Sequence, residues 1–341
     1  MSLPLSKTYP PMEAEPAQKL PTGPEWQYEP KWDGFRCIAF RDGDRVDLES
    51  KSSKPLTRYF PELVASLRAI RAKQFVLDGE IVIPVNGDLS FDDLLQRIHP
   101  AASRIAKLSA ATPCIYIVFD LLVDANGKKL VDSSLSKRRN ALEAFAKKFA
   151  PHNQIIQLSP MTKDVSIASK WFHIGIGLDG IVAKRDDLPY QSGERGGMEK
   201  IKKLRTADCV VGGFRYLEKN PLVGSLLLGL YDKSGKLNHV GFTSSITDHE
   251  RPALTKKLKR LIRPPGFTGK SPGGLSRWST KRSLEWEPLD PRLVVEVQFD
   301  HFTGGRFRHG TKFLRWRPEK SPASCTMKQV EREDKSALDL L

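Results

Sequence analysis

Cysteine is scarce in this chain, and the four present, Cys37, Cys114, Cys209 and Cys325, lie far apart. There is no Cys-x-x-Cys pair and no Cys/His cluster, so neither a zinc site nor a disulfide framework is suggested. Reduced thiols in a cytosolic protein are the simplest account. Long apolar runs are missing too. The longest, from Cys114 to Val123, is interrupted by Asp120 and is far too short to span a bilayer. The proline-rich start, Met1 to Pro24, lacks the basic-then-apolar order of an export signal and reads as an extended lead-in packed along the first domain. No internal repeat is evident. Acidic residues are in deficit, with 40 Asp and Glu against 55 Lys and Arg, a net charge of +15 over 341 residues. That surplus suits a polyanionic partner, nucleic acid first and an acidic membrane surface second. The apolar fraction of 39% is ordinary for a globular protein, and the length accommodates two domains.

The pattern alternates at first. Val/Ile/Phe-rich runs predict strands at Phe35–Phe40, Phe75–Ile83, Ile115–Val123 and Leu178–Lys184. Between them, Phe60, Leu63, Val64, Leu67 and Ile70 fall at helical spacing. Ser90 is placed to cap a short helix through Leu94, Leu95 and Ile98, and another helix starts near Ser136 with Leu142 and Phe145 inward. After Thr206 strands dominate, at Asp208–Phe214, Ser225–Tyr231, His239–Thr243 and Leu293–Phe299, with one helix from about Glu250 to Ile262. That count suggests a small barrel of the OB type, although the spacing also fits other β-rich folds. The domain boundary falls near Arg205. The stretch from Pro264 to Pro291 is rich in Pro, Gly and Ser and carries Lys270, Arg277, Lys281 and Arg282 with Trp278 and Trp286. It reads as a solvated loop, with a second reading as a tracker of phosphate backbone.

The most informative segment is Glu29-Pro30-Lys31-Trp32-Asp33-Gly34-Phe35-Arg36. A lysine amine, once neutral, attacks an α-phosphate to make a P–N bond. Gly34 removes a Cβ and so brings backbone close to a nucleotide. Arg36 is placed to fork onto phosphate or ribose oxygens. Downstream come Leu48-Glu49-Ser50-Lys51-Ser52, Leu77-Asp78-Gly79-Glu80, Tyr116-Ile117-Val118-Phe119-Asp120, Leu178-Asp179-Gly180-Ile181-Val182-Ala183-Lys184-Arg185, and Lys200-Ile201-Lys202, whose lysines strand alternation puts on one face. One such motif is weak; the ordered series across some 290 residues is specific.

In this order the motifs resemble those of the covalent nucleotidyltransferases, and among them the stand-alone bacterial ATP-dependent DNA ligases of the C type. The resemblance implies an α+β fold, with a nucleotidyltransferase domain (ATP-grasp-like antiparallel sheets with helices) over residues 1–205 and an OB-fold β-barrel domain over 206–341. It implies Lys31 as the catalytic nucleophile that takes AMP from ATP, and Glu29 as acceptor for the adenine amino group. Phe119 would stack on the base, and Arg36, Lys51, Glu80, Lys200 and Lys202 would line the nucleotide. Glu80 and Asp179 would hold Mg²⁺ or Mn²⁺. Lys51 stands where these ligases carry arginine, so charge is kept but a bidentate fork is lost. Asp179 stands where most carry glutamate, and Met198-Glu199 where a tryptophan is usual. Arg308 and Arg317 lie in the segment that meets the leaving pyrophosphate, or else DNA phosphates. The expected partner is nicked duplex DNA, with repair proteins as further partners, in a monomer in the bacterial cytoplasm beside the nucleoid. With no DNA-encircling domain ahead of Lys31, two domains must clamp DNA or borrow grip from a partner. An RNA ligase, a GTP-using capping enzyme and a catalytically degenerate DNA-binding relative are the alternatives.

Overall fold

The computed structural model describes residues 3–174, 177–273, 285–331 and 336–341. Arg277, Trp278, Lys281 and Arg282 lie outside them. The chain forms two units. The first runs to Lys203 and takes in residues 336–341; the second is Leu204–Glu331.

The first unit is built on two sheets. Its strands are β1 (Glu15–Ala17), β2 (Trp26–Trp32), β3 (Phe35–Asp42), β4 (Arg45–Ser50), β5 (Gln74–Val82), the short pair β6 (Pro84–Val85) and β7 (Asp88–Leu89), β8 (Ile115–Val123), β9 (Ile156–Leu158), β10 (Leu178–Arg185) and β11 (Met198–Lys202). One sheet has the order β4-β3-β5-β8-β9 and the other β1-β11-β10-β2. The chain crosses from the second sheet to the first at Asp33-Gly34, between β2 and β3, so Lys31 and Arg36 sit on either side of that crossing.

The helices are α1 (Pro61–Ala69), α2 (Phe91–Gln96), α3 (Ala102–Ala111), α4 (Leu135–Phe149) and α5 (Val165–Lys170). Pro61 opens α1, where the missing N–H costs nothing. Ser90 caps α2 by accepting the Asp93 N–H at 3.2 Å, as its sequence predicts, although the helix stops short of Ile98. Leu63 and Leu67 of α1 and Leu142 and Phe145 of α4 join Phe75, Leu77 and Tyr116 in one core. Every residue of β8 is buried, because that strand lies between β5 and β9 with both faces covered. Strand β2 has no run of Val or Ile to announce it. It contains Pro30, which lacks an N–H, yet Pro30 lies opposite Ile181 of β10.

The second unit contains β12 (Arg205–Leu217), β13 (Asn220–Tyr231), β14 (Leu237–Thr243), α6 (Arg251–Lys259), β15 (Glu287–Pro288), β16 (Val294–Phe299), the pair β17 (Phe302–Thr303) and β18 (Arg306–Phe307), and β19 (Lys312–Trp316). The sheet order is β14-β13-β12-β16-β19, with β15 on β12. Among the described residues β14 and β19 remain its ends. Thr243 and Thr311 form a single bridge beside them, so no closed barrel is found. Helix α6 is pinned to β13: the Val223 N–H donates to Thr255 Oγ1 at 2.9 Å. No helix among the described residues is long and apolar enough to cross a membrane.

Candidate active site

A cleft of about 220 Å³ lies in the first unit, lined by residues of both its sheets. From the β2 sheet come Glu29, Lys31, Val182, Lys184, Met198 and Lys200; from the other, Arg36, Glu80 and Phe119. Lys51 and the segment Pro11-Met12-Glu13-Ala14 complete the wall. The structure therefore brings Glu29, Lys31, Arg36, Lys51, Glu80, Phe119 and Lys200 together, as the sequence motifs predict.

Asp179 reaches this group through a β-bulge. Leu178 pairs with Trp32 and Gly180 pairs with Lys31, which leaves Asp179 as the extra residue on β10. A bulge re-aims a side chain that strict alternation would send to the other face. Here it brings the Asp179 carboxylate onto Lys31 Nζ, with Lys202 Nζ 4.0 Å from the same oxygen. Gly180 makes the bulge feasible: its φ is +140°, and a Cβ there would lie 2.0 Å from the Ile201 carbonyl oxygen.

Phe119 is also a bulge residue. Asp120 pairs with Asp78 and Val118 with Gly79, so Phe119 is the residue left over on β8. Two cations flank its ring, Arg36 Cζ at 4.7 Å and Lys184 Nζ at 4.5 Å from the centroid. Arg36 is fixed from behind by both Asp78 oxygens, each at 2.7 Å. Asp78 accepts the Tyr190 hydroxyl at 2.6 Å, Tyr190 accepts the Met12 N–H at 3.0 Å, and Arg36 Nη2 donates to the Met12 carbonyl at 3.3 Å. The loop of bonds closes on itself and ties the N-terminal lead-in to the cleft.

Glu29 is 2% exposed, and both oxygens are already engaged, by Gln27 Nε2 at 3.0 Å and Lys184 Nζ at 2.7 Å. Burial pushes the Glu80 carboxyl up to about 8, although Arg36 and Lys31 pull it down. Lys200 is lowered by burial first and then by Lys51 and Lys31.

Gly34 has a packing role that its motif does not announce. A Cβ there would meet the Ile81 carbonyl oxygen at 2.2 Å and Glu80 Cγ at 2.9 Å. The glycine admits strand β5, and with it Glu80, to the crossing between β2 and β3. Motif reading names neither Lys184, Tyr190 nor Glu13 as a site residue. Lys184 is the one with a signal, a lysine that directly follows the apolar run Ile181-Val182-Ala183 within β10.

Arg308 and Arg317 belong to the second unit. Arg317 Nη1 contacts Asp208 at 3.0 Å and Glu296 at 3.1 Å, and its Nε contacts Glu319 at 2.5 Å. Arg308 follows β18, and its N–H donates to the His301 carbonyl at 3.0 Å.

Residues 11–202 match the family profile of the ATP dependent DNA ligase domain, and residues 219–320 that of the ATP dependent DNA ligase C terminal region. The chain is 43% identical to DNA ligase C of Mycobacterium tuberculosis, over 97% of this chain and 96% of that protein. It is 42% identical to DNA ligase C2 of Mycolicibacterium smegmatis over the same shares. The solved structure Pmar-Lig_Pre aligns with a TM-score of 0.62 at 18% identity, covering 91% of this chain and 67% of that one; at that identity the likeness speaks to fold alone.

Proposed function

Since the chain belongs to the ATP-dependent DNA ligases, we propose that its cleft is where ATP is opened and AMP is held on Lys31. The enzyme seals nicks in DNA, joining a 5′-phosphate to a 3′-hydroxyl. The Lys31 amine attacks the α-phosphate and expels pyrophosphate. AMP passes to the 5′-phosphate of the nick, and the 3′-hydroxyl displaces it. Each step is a displacement at phosphorus, so the protein contributes mainly positioning and charge compensation.

The observation that carries the assignment is the convergence of Glu29, Lys31, Glu80, Phe119 and Lys200 on one cleft. Phe119 stacks on adenine once a flanking cation yields its face. Glu29 accepts from the base amino group with a remaining lone pair while Lys184 holds its other oxygen. Arg36, Lys51, Lys200 and Lys202 meet phosphate and ribose oxygens. Asp179 steadies Lys31 before reaction and is within reach of the proton that Lys31 must shed.

Among the described residues no cluster of three or more acidic, His or Cys side chains could hold a metal alone. Two carboxyl groups, Glu80 and Asp179, suit a cation that takes its other ligands from phosphate and water, as Mg²⁺ commonly does, with Glu80 giving up its proton as the cation binds. Mg²⁺ or Mn²⁺ bound there would offset charge on the polyphosphate.

In the second unit we assign the OB-type role, with Arg308 and Arg317 meeting pyrophosphate or DNA phosphates. Arg317 would first have to exchange a carboxylate for phosphate. We place the activity in DNA repair, in a monomeric enzyme at the bacterial nucleoid.

Incubation with labelled ATP and Mg²⁺, followed by mass spectrometry, tests the core of this reading. AMP should map to Lys31 and vanish in Lys31→Ala. AMP on another lysine would sink it.

A further inference from the structure

The lead-in segment contributes a carboxylate to the most cationic part of the cleft. Glu13 Oε2 lies 3.0 Å from Lys51 Nζ and 3.5 Å from Arg195 Nη2. Lys200, on β11, is close enough that its charge acts on Glu13 as well. Glu13, Lys51 and Lys200 all line the cleft. The Lys51 hydrogen bond holds the Glu13 carboxyl below the usual carboxylate range, so it is ionised at neutral pH. Three cations thus converge on one anion at the wall where a nucleotide's phosphates must lie.

The backbone behind Glu13 is anchored. Its N–H donates to the Glu194 carbonyl at 2.8 Å, and Met12 is held by Tyr190 and Arg36. The side chain is a quarter exposed, at 26%, and Lys51 is 56% exposed. Rotation about the Glu13 side-chain bonds can therefore release the cations while the segment stays in place.

We propose that Glu13 is a built-in stand-in for phosphate, which engages Lys51, Arg195 and Lys200 and must be displaced by the polyphosphate of ATP. It sets how tightly ATP is held, not how fast Lys31 reacts. The contact keeps the cations from collecting stray anions and makes ATP compete with the protein's own carboxylate. The inference rests on the reading of the cleft as the ATP site.

The test is lysyl-AMP formation by the full chain, with ATP and Mg²⁺, in wild type and Glu13→Gln. The half-saturating ATP concentration should fall roughly two- to fivefold, the scale of a part-exposed ion pair. The maximal rate should not change. Inhibition by adenosine, which has no phosphate, should be the same in both proteins. The ATP difference should shrink as salt rises, because exposed charges are screened. A half-saturating concentration that is unchanged or raised would overturn the proposal, the second outcome showing that Glu13 positions Lys51 productively. Glu13→Ala, matched to wild type in melting midpoint, repeats the measurement without an amide. The site of labelling separates the two readings. AMP absent from Lys31 in both proteins condemns the assignment of the cleft, whereas AMP on Lys31 with no tightening condemns only the role of Glu13.

Discussion

Glu29 and Lys184 form a buried ion pair across β2 and β10, 2.7 Å apart, with side-chain exposures of 2% and 7%. The two residues are diagonal neighbours, since Glu29 lies opposite Val182 and Lys184 opposite Gln27. Removing one member leaves an uncompensated charge, whereas replacing both can be nearly neutral. Glu29→Gln should therefore lower unfolding stability by about 3 kcal/mol. Glu29→Gln combined with Lys184→Met should recover most of that loss in denaturant melts. The combined variant should remain poorer than wild type at labelling with ATP, because a neutral amide oxygen accepts from the base amino group more weakly than a carboxylate. Additive losses in the two single variants and the pair would show that the ion pair is not coupled.

Asp179 offers a second test. In Asp179→Asn the amide still hydrogen-bonds but cannot accept a proton from Lys31. Lysyl-AMP formation should slow by about 10²-fold or more, the usual scale for a lost acid–base partner. Asp179→Glu should retain part of the rate. A wild-type rate in Asp179→Asn would remove Asp179 from the proton path.

Gly34→Ala probes the crossing between the sheets. The new methyl would press on the Ile81 carbonyl, a backbone atom that cannot rotate away. We expect a loss of about 2 kcal/mol in stability, typical of overpacking, together with impaired self-adenylylation as Glu80 is pushed off. Normal stability and labelling would mean that β5 can shift without consequence.

The long core strands and four of the helices are legible from composition, because runs such as Ile115–Val123 and the spacing from Phe60 to Ile70 follow from burial alone; the short and edge strands are not. The motifs name seven of the residues that line the cleft, Glu29, Lys31, Arg36, Lys51, Glu80, Phe119 and Lys200. What the sequence hides is local and geometric. Phe119 and Asp179 both owe their direction to bulges, and a bulge is set by pairing with a distant strand. Strand β2 is masked by Pro30 and by charged residues whose partners lie far along the chain. Glu13 has no local signal at all, since its meaning depends on Lys51, Arg195 and Lys200 arriving beside it.

His239 supplies a pH prediction away from the cleft. Its Nε2 is buried without a hydrogen-bond partner, and the ring stands edge-on to Phe267 at 5.4 Å. Burial, reinforced by Arg215, lowers its pKa from 6.5 to about 4. The unfolded chain therefore binds a proton below pH 6.5 that the folded chain refuses until about pH 4. Stability is full above that window and falls as pH drops through it, by up to roughly 3 kcal/mol from this residue. Acid unfolding of His239→Gln should show a correspondingly weaker pH dependence between those limits. Identical slopes for the two proteins would show that His239 is solvated.

The return of residues 336–341 to the first unit has a consequence for synthesis. Ala337 is fully buried in the cluster that holds Trp32, Leu178 and Ile181, beside the strand that carries Lys31. Those residues leave the ribosome only after the whole of Leu204–Glu331 has been made. Domains tend to fold as units while the chain emerges, yet here one cluster of the earlier unit draws on residues made after the later one. The core around Leu63, Phe75 and Tyr116 uses no buried residue beyond Ile156 and can form early, whereas the cluster beside the Lys31 strand gains Ala337 only once residue 337 has emerged. A transcript truncated beyond the second unit would thus yield a chain with every motif present and the cluster beside the Lys31 strand lacking Ala337.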